Sequence, residues 1–271
     1  MGGLSFAIAA ALLWGGGSYV GGRATRTTPA SVVVLWGLVA ALVVAVPLAL
    51  LDGSSGIASI PWGVIAGLFG AAGAVALYHG LANATAAVVA PLAGVVGAAL
   101  PTVAGVLLGE RPKPAAWAGV ALALPAIWLL AADRLRLGPG ASFGAIAGLS
   151  FGSEFIILGR VPADSGLWPV VGTLFGGVLT VLAAVIRRRL PLGVPRPALV
   201  AAIVAALFNF GAVTSFLFAT RRGMVSLSSV VASLYPAPTV ALAALLDHER
   251  IRPSHLVGGI LALSAVGLIA T

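Results

Sequence analysis

One carboxylate, Glu154, lies inside the apolar stretch GLSFGSEFIILGR (148–160), although the chain has only seven acidic residues among 271. A carboxylate near the centre of a membrane helix costs roughly 2.5–3.5 kcal/mol on insertion scales, so such groups normally face a protein interior or a water-filled cavity. Glu154 is therefore a candidate to bind an ammonium group or carry a proton. Two alternatives stay open: pairing with an arginine or polar neighbour as structural support, and a position near the membrane surface.

Three further candidates carry polar groups beside apolar ones. His79 could titrate near neutrality or hold a carboxylate, and Tyr78 precedes it; both are equally compatible with the aromatic belt at a membrane surface. Asn209, in ALFNFGAV, is either a hydrogen-bond clamp between helices or a contact for a small molecule.

Two aromatic residues complete the candidate set. Trp14 lies at a depth comparable to that of Asn209 and could form part of an apolar wall. Tyr235 precedes Pro236 and could lie where a broken helix turns backbone groups toward a cavity. A simple kink at Pro236 and Pro238 is the alternative. Together, aromatic walls and a few polar groups are what an aromatic amino acid needs in a binding site.

The elements that position these residues are membrane helices. The sequence is 60% hydrophobic and 8% charged, with a mean hydropathy of +1.13, whereas soluble domains carry about 25% charged residues. The apolar runs are unbroken rather than alternating, which excludes a β-barrel. The net charge of +8 comes from arginine and lysine in short loops, so we do not expect nucleic-acid binding.

Hydropathy, with proline, glycine and charge as boundaries, predicts ten helices and no soluble domain. The first apolar run, from Leu4, lacks a basic leader and is interpreted as a retained helix rather than a signal peptide. The ten helices are predicted at 4–22, 29–51, 61–82, 85–108, 114–132, 141–161, 167–186, 197–220, 225–246 and 254–270.

The two halves of the chain resemble each other. VLLGERPKPAAWAG (106–119) aligns with ALLDHERIRPSHLVG (244–258) at a spacing of 139, which places Glu110 on Glu249. FAIAAALLWGGGSYVGGR (6–23) aligns with FGAIAGLSFGSEFIILGR (143–160) at a spacing of 137, which places Gly17 on Glu154. We infer two five-helix repeats, 1–136 and 137–271. An odd number of helices inverts the second repeat, as in secondary transporters; a duplicated scaffold without transport is the alternative.

The repeat motifs resemble the EamA repeat of the drug/metabolite transporter superfamily. SLYPAPTVALAALLDHERIRPSHLVGGILALSAVGLIA resembles its closing helix pair, YHGLANATAAVVAPL (78–92) is similar to the junction of its third and fourth helices, and LLWGGGSYVGGR and LSFGSEFIILGR resemble its first helix. The first repeat departs from the pattern, because Gly97 stands where the second has Pro236. We therefore expect the fourth helix to be straighter than the ninth.

The resemblance implies an all-α membrane protein in which helices 1, 3, 4, 6, 8 and 9 surround a central cavity. It further implies an exporter of small metabolites, with the ten-helix YddG-type amino-acid exporters as the nearest relatives. The substrate-binding residues expected there are Trp14, Tyr78, His79, Glu154, Asn209 and Tyr235. The Glu-Arg turns at 110–111 and 249–250 either latch opposite faces of the transporter or are solvated.

The sequence gives two conflicting indications of how the protein is oriented in the membrane. Family members normally keep both termini in the cytoplasm, but this arrangement leaves five basic residues in the cytoplasmic loops and ten outside. The positive-inside rule favours the reverse orientation, with both termini periplasmic. Both arrangements place the termini on one side.

The sequence also bounds what the protein binds. It contains no G-x-x-x-x-G-K-[ST] motif, so we expect secondary or facilitative transport without a cofactor or a metal. An enzyme is not expected, since only three histidines are present and cysteine is absent. Carriers of cationic drugs or nucleotide-sugars, a channel and a scaffold are the alternatives. The expected partners are a small-molecule substrate and the lipids of a bacterial inner membrane, and one chain suffices because it holds both repeats.

Overall fold

The computed structural model describes residues 2–25, 27–83, 86–131, 140–248 and 251–271, with backbone alone for 78–83 and 86–88. The described part is helical and contains no strand. Its helices are α1 (Gly2–Ala24), α2 (Ala30–Leu51), α3 (Ile60–Asn83), α4 (Ala86–Leu107), α5 (Pro114–Ala131), α6 (Ala141–Leu158), α7 (Trp168–Arg187), α8 (Arg196–Arg222), α9 (Val225–Ala232), α10 (Pro236–Leu246) and α11 (Pro253–Ile269), with a 3₁₀ turn at Gly56–Ser59 before α3.

These helices confirm the predicted fold class. Within the described residues, nine helical stretches are long and apolar enough to cross a membrane, counting Val225–Leu246 as one, and Pro253–Ile269 is a shorter apolar helix of 17 residues. The main difference from the predicted boundaries lies in the ninth span, which is two helices. The boundary between the two predicted repeats, at 136/137, lies outside the described residues.

The ninth span breaks at Ser233–Tyr235, which form a turn between α9 and α10. Pro236 follows the turn and lacks the N–H group that would continue the helix. The Ser233 and Leu234 N–H groups donate to carbonyls of α9, so the backbone stays hydrogen-bonded up to the break. In the first repeat, where Gly97 replaces the proline, α4 is uninterrupted despite two internal prolines, as the sequence predicts.

Both chain ends lie on the same face of the bundle, which we call the terminal face. Gly3 at the start of α1 contacts the end of α8 at Arg222, and the Lys113 ammonium donates a hydrogen bond to the Thr271 carbonyl oxygen (2.8 Å). The helices alternate in direction, so the loop 188–195 lies on the opposite face. This arrangement agrees with an odd number of spans in each repeat.

Two loops of different repeats are joined on the terminal face by Asp52. One carboxylate oxygen accepts a hydrogen bond from the Leu167 N–H (2.8 Å) and the other accepts one from the Ser54 N–H (2.8 Å). Burial raises the pKa of Asp52, but the hydrogen bonds from Ser54 and Leu167 outweigh it and hold the pKa below its ordinary value. The stabilisation is present at neutral pH and is lost only as the pH falls through that lowered pKa.

The main helix contacts join one repeat to the other. Helix α1 packs on α8, and its repeat counterpart α6 packs on α3; α2 packs on α7, and α5 packs on α11. This pairing is the two-fold arrangement expected of inverted repeats. The core is therefore formed between the halves rather than within each of them.

Glycines on α3 allow its backbone to approach α7. A Cβ atom at Gly63 would overlap the Pro169 carbonyl oxygen, and one at Gly67 would overlap the Thr173 carbonyl oxygen. The counterpart contact of α2 with α8 is also close, because a Cβ atom at Gly37 would lie 2.9 Å from the Ala202 carbonyl oxygen. Small residues at such positions let membrane helices pack closely. Close packing matters there because the hydrophobic effect does not drive helices together within lipid.

We predict that Gly67→Ala destabilises the protein by about 1–3 kcal/mol, the usual cost of overpacking, because a backbone carbonyl cannot move aside. Thermal unfolding in detergent measures the change. Gly259→Ala is the matched control, since a Cβ atom there meets nothing within 4 Å, and it should unfold at or slightly above the wild-type temperature. Equal midpoints for both variants would contradict the packing described.

The loop 188–195 tests the orientation, because the native chain has no cysteine. From the charge distribution we predict that Arg188→Cys resists a membrane-impermeant maleimide in intact cells and reacts after permeabilisation. Residue 188 is exposed at the end of α7 on the opposite face, so access to it depends on the side of the membrane. Labelling in intact cells would instead support termini in the cytoplasm.

Candidate functional site

A cavity of about 300 Å³ lies between the two repeats. Its described lining comes from both halves, and it extends from the middle of the bundle to Thr25 and Val33, at the opposite-face ends of α1 and α2. The lining residues are Trp14, Gly17, Ser18, Gly21, Gly22, Thr25, Val33, Val34, Gly37, Leu38, Gly67, Gly70, Ala71, Ala74, Leu77, Gly94, Phe151, Glu154, Phe155, Thr173, Leu174, Gly177, Ala202, Ala205, Ala206, Asn209 and Tyr235.

Glu154 lines this cavity and is the charged member of its described lining. Its side chain is only 9% exposed, one turn before α6 ends. Its carboxylate lies against α3, where a Cβ atom at Gly70 would overlap it, so the space for the carboxylate depends on the absence of a side chain at residue 70. Among the described residues no cation pairs with Glu154 and no donor hydrogen-bonds to it. The structural ion pair that the sequence left open for Glu154 is therefore not found among the described contacts.

Trp14 and Asn209 are hydrogen-bonded to each other across the repeats. The Trp14 Nε1–H donates to Asn209 Oδ1 at 2.9 Å. The indole also packs against Phe155 and Phe216, with ring centroids 5.4 and 6.0 Å away, and these two phenyl rings stack at 4.5 Å. Asn209 is therefore a clamp between helices and part of the cavity wall, and its contact with a small molecule stays a prediction.

Tyr235 reaches the cavity because the ninth span breaks beside α1. A Cβ atom at Gly15 would lie 2.7 Å from the Tyr235 carbonyl oxygen, and the Thr239 hydroxyl donates to the carbonyl oxygens of Gly15 and Tyr235, at 3.0 Å each. The close contact at Gly15 brings the turn against α1. The break, rather than a simple kink, thus sets where Tyr235 lies.

The other two predicted binding residues, Tyr78 and His79, have side chains outside the described residues. The sequence prediction also missed part of the lining. Helices α2 and α7 contribute to the wall in addition to the six expected helices, and polar groups come from Ser18 and Thr173. The glycine spacing along α3 was the available signal, since it marks the face that packs against α6 and α7. Within the described residues, no group of three or more histidine, aspartate or glutamate side chains forms a metal site.

On the terminal face, Glu110 links the two repeats. Its carboxylate accepts hydrogen bonds from the Val225 N–H (2.6 Å) and the Ser226 N–H (2.9 Å), the first N–H groups of α9. An acidic side chain at this position caps a helix and complements its dipole. Arg111 meanwhile donates to the Val106 and Glu110 carbonyl oxygens. The first Glu-Arg turn is thus engaged in contacts, and Glu249 and Arg250 lie outside the described residues.

The opposite face also joins the two repeats. The Arg23 guanidinium forms an ion pair with Asp247, and the Tyr19 hydroxyl donates to the same carboxylate (3.0 Å). These residues connect the end of α1 to the end of α10, near the cavity residues Gly21 and Gly22. Tyr19, at a depth similar to that of Trp14 in the sequence, therefore takes part in an inter-repeat contact.

The sequence matches the model of the EamA-like transporter family twice, over residues 1–132 and 138–271. The chain belongs to the EamA-like transporter family. It is a multi-pass membrane protein of a family of small-molecule transporters, which are in general not enzymes. The two matched segments correspond to the two halves whose interface holds the cavity.

Solved structures support the fold of this EamA-like transporter. One, titled only "Crystal structure of protein", superposes with a TM-score of 0.81 at 20% sequence identity, over 99% of this chain and 96% of that one. At this identity the likeness shows the fold alone. No curated protein sequence matches the chain significantly.

We predict that Glu110→Ala loosens the contact of α4 with α9 and exposes the terminal face. The reporter is Ala104→Cys in the cysteine-free chain, because Ala104 lines a second cavity of about 200 Å³ beside Glu110. Losing a helix cap costs about 0.5–2 kcal/mol, so labelling by a water-soluble maleimide should rise roughly 2- to 30-fold.

Asp164→Ala is the control for the Glu110 variant, because it removes an exposed acidic residue from the same face. It should leave labelling of the reporter at the wild-type rate. An unchanged rate in Glu110→Ala, or an equal rise in both variants, would show that the carboxylate does not hold this face together.

Proposed function

We propose that the protein exports small metabolites, most directly amino acids with aromatic or hydrophobic side chains, by alternating access between its inverted repeats. The observation that carries this proposal is the cavity at the repeat interface, where Glu154 faces a wall of aromatic and small residues. A buried acceptor in a cavity that Trp14 and Phe155 also line suits a molecule with an ammonium group and an apolar side chain. The YddG-type amino-acid exporters remain the model for this assignment.

The charged groups of the described lining distinguish between the alternative substrate classes. A nucleotide-sugar carries phosphate groups that need arginine or lysine, and the described cavity lining contains neither. A cationic drug would find one carboxylate, so this rival is retained as the second candidate. A cationic drug differs from an amino acid in having no group that needs a hydrogen-bond donor such as the Asn209 amide.

The proposal includes the mode and place of transport. Transport is secondary or facilitative, with substrate and membrane lipid as the partners, and no catalytic activity, cofactor or nucleic acid is involved. One chain suffices because both walls of the cavity come from the same molecule. We assign the protein to the inner membrane of a bacterium.

Transport in proteoliposomes tests the proposal. Purified protein should take up labelled L-phenylalanine faster than protein-free liposomes do, and an imposed pH gradient should change that rate. In Glu154→Gln the shape of the side chain stays but its charge and proton are lost. We therefore expect the rate to fall at least about tenfold, the scale of one hydrogen bond to a charged group, and the response to the pH gradient to disappear.

Asp164→Asn serves as the matched control, since this acidic residue is exposed in the loop between α6 and α7. It should transport at the wild-type rate. If Glu154→Gln keeps both the rate and the pH response, Glu154 has no role in binding or coupling. If the wild type moves a hydrophobic monoamine but not L-phenylalanine, the cationic-drug assignment replaces the amino-acid one.

A further inference from the structure

We propose that Trp14 is a positioning residue that fixes the Asn209 amide with its NH₂ group toward the substrate. Asn209 then selects substrates that present a carboxylate at that end over those that present an N–H donor. The inference rests on the proposed function and extends it, because it names the groups that read the second polar end of the substrate.

The orientation of the amide follows from the chemistry of the indole. A tryptophan Nε1–H can only donate a hydrogen bond. The Asn209 atom that lies 2.9 Å from it must therefore be the acceptor, Oδ1, and the NH₂ group is the other end of the amide. No acceptor among the described residues hydrogen-bonds to this NH₂ group, and Asn209 lines the cavity. Two N–H donors are thus left for a ligand.

Trp14 is held in place independently of this hydrogen bond. Its ring packs against Phe155 and Phe216 of the second repeat, and the next residue, Gly15, lies tightly against the Tyr235 carbonyl oxygen and Pro238. The donor therefore has a fixed position before any substrate arrives. A preorganised group of this kind contributes to affinity because little freedom is lost on binding.

The two groups that we propose to contact the polar ends of the substrate, Glu154 and Asn209, both come from the second repeat. Glu154 aligns with Gly17 at a spacing of 137, and Asn209 aligns with Gly70 at the spacing of 139 that relates Glu110 to Glu249. The helix contacts follow the same symmetry, since Gly70 lies against the Glu154 carboxylate and Gly17 lies beside α8 near Asn209. An acceptor and a donor on one repeat thus lie beside glycines on the other, which leave room for the Glu154 carboxylate at Gly70 and for the α8 backbone at Gly17.

The two polar side chains, Glu154 and Asn209, are together complementary to an α-amino acid. The Glu154 carboxylate only accepts hydrogen bonds and suits an ammonium group, whereas the Asn209 NH₂ group only donates and suits a carboxylate. Without the Trp14 N–H, the oxygen and nitrogen ends of the amide are nearly the same shape, and the amide can turn to suit either kind of ligand. The discrimination therefore depends on Trp14 although Trp14 need not contact the carboxylate.

The test compares two ligands that differ only at this end, L-phenylalanine and L-phenylalaninamide, as competitors of labelled L-phenylalanine uptake in proteoliposomes. In Trp14→Phe the ratio of their inhibition constants should shift about tenfold toward the amide, the scale of one hydrogen bond to a charged group. Binding of L-phenylalaninamide should change less than twofold, which also shows that the variant is folded.

Trp36→Phe is the matched control, because it removes an indole N–H that donates to the Leu192 carbonyl oxygen (3.0 Å) outside the cavity; its ratio should equal that of the wild type. Asn209→Asp, which replaces the NH₂ donors by a carboxylate, should abolish competition by L-phenylalanine and retain competition by L-phenylalaninamide against labelled L-phenylalaninamide. Equal losses for both ligands in Trp14→Phe, or an unchanged ratio, would overturn the proposal while leaving amino-acid transport standing. Failure of the wild type to transport L-phenylalanine would overturn the amino-acid assignment and the proposal with it.

Discussion

The fold depends on backbones that touch between the two repeats. Within a bilayer, lipid tails are as apolar as the side chains, so helices associate by close van der Waals contact and not by the hydrophobic effect. Dispersion is short-ranged, so a gap of even an ångström forfeits much of it. The carbonyls of Pro169 and Thr173 lying over Gly63 and Gly67 show how this contact is reached. Each such position tolerates only glycine.

The same glycines form much of the cavity. Gly67 and Gly70 on α3 pack against α7 and α6 and also line the space between the repeats. Beside these close contacts, the missing side chains leave a void instead of a packed core. Aromatic rings and the few polar groups then define the inner surface of that void. Tight association and an internal cavity thus arise from one property of the sequence.

Most of the fold could be predicted from the sequence because hydropathy is a local property of each segment and the duplication is visible as matching motifs. The helix positions follow from apolar length, and the different behaviour of the fourth and ninth spans follows from Gly97 and Pro236. The cavity was harder to predict. Trp14, Glu154, Asn209 and Tyr235 line it as expected, but α2 and α7 also contribute, and this depends on how the repeats pack. The contact of Glu110 with α9 joins residues 115 positions apart, and spacing along the chain contains no sign of it.

The glycines opposite the polar groups constrain how such a protein can change over generations. The two halves differ at these aligned positions: the second half carries the acid and the amide, and the first half carries glycine at both. A side chain gained at Gly70 would displace Glu154, and a Cβ atom at Gly17 would lie 3.2 Å from the Ala205 carbonyl oxygen. The first half therefore cannot acquire matching groups by single substitutions without disturbing those already present. A larger residue at either glycine therefore needs a compensating change on the other half, so the two halves are constrained together at this interface.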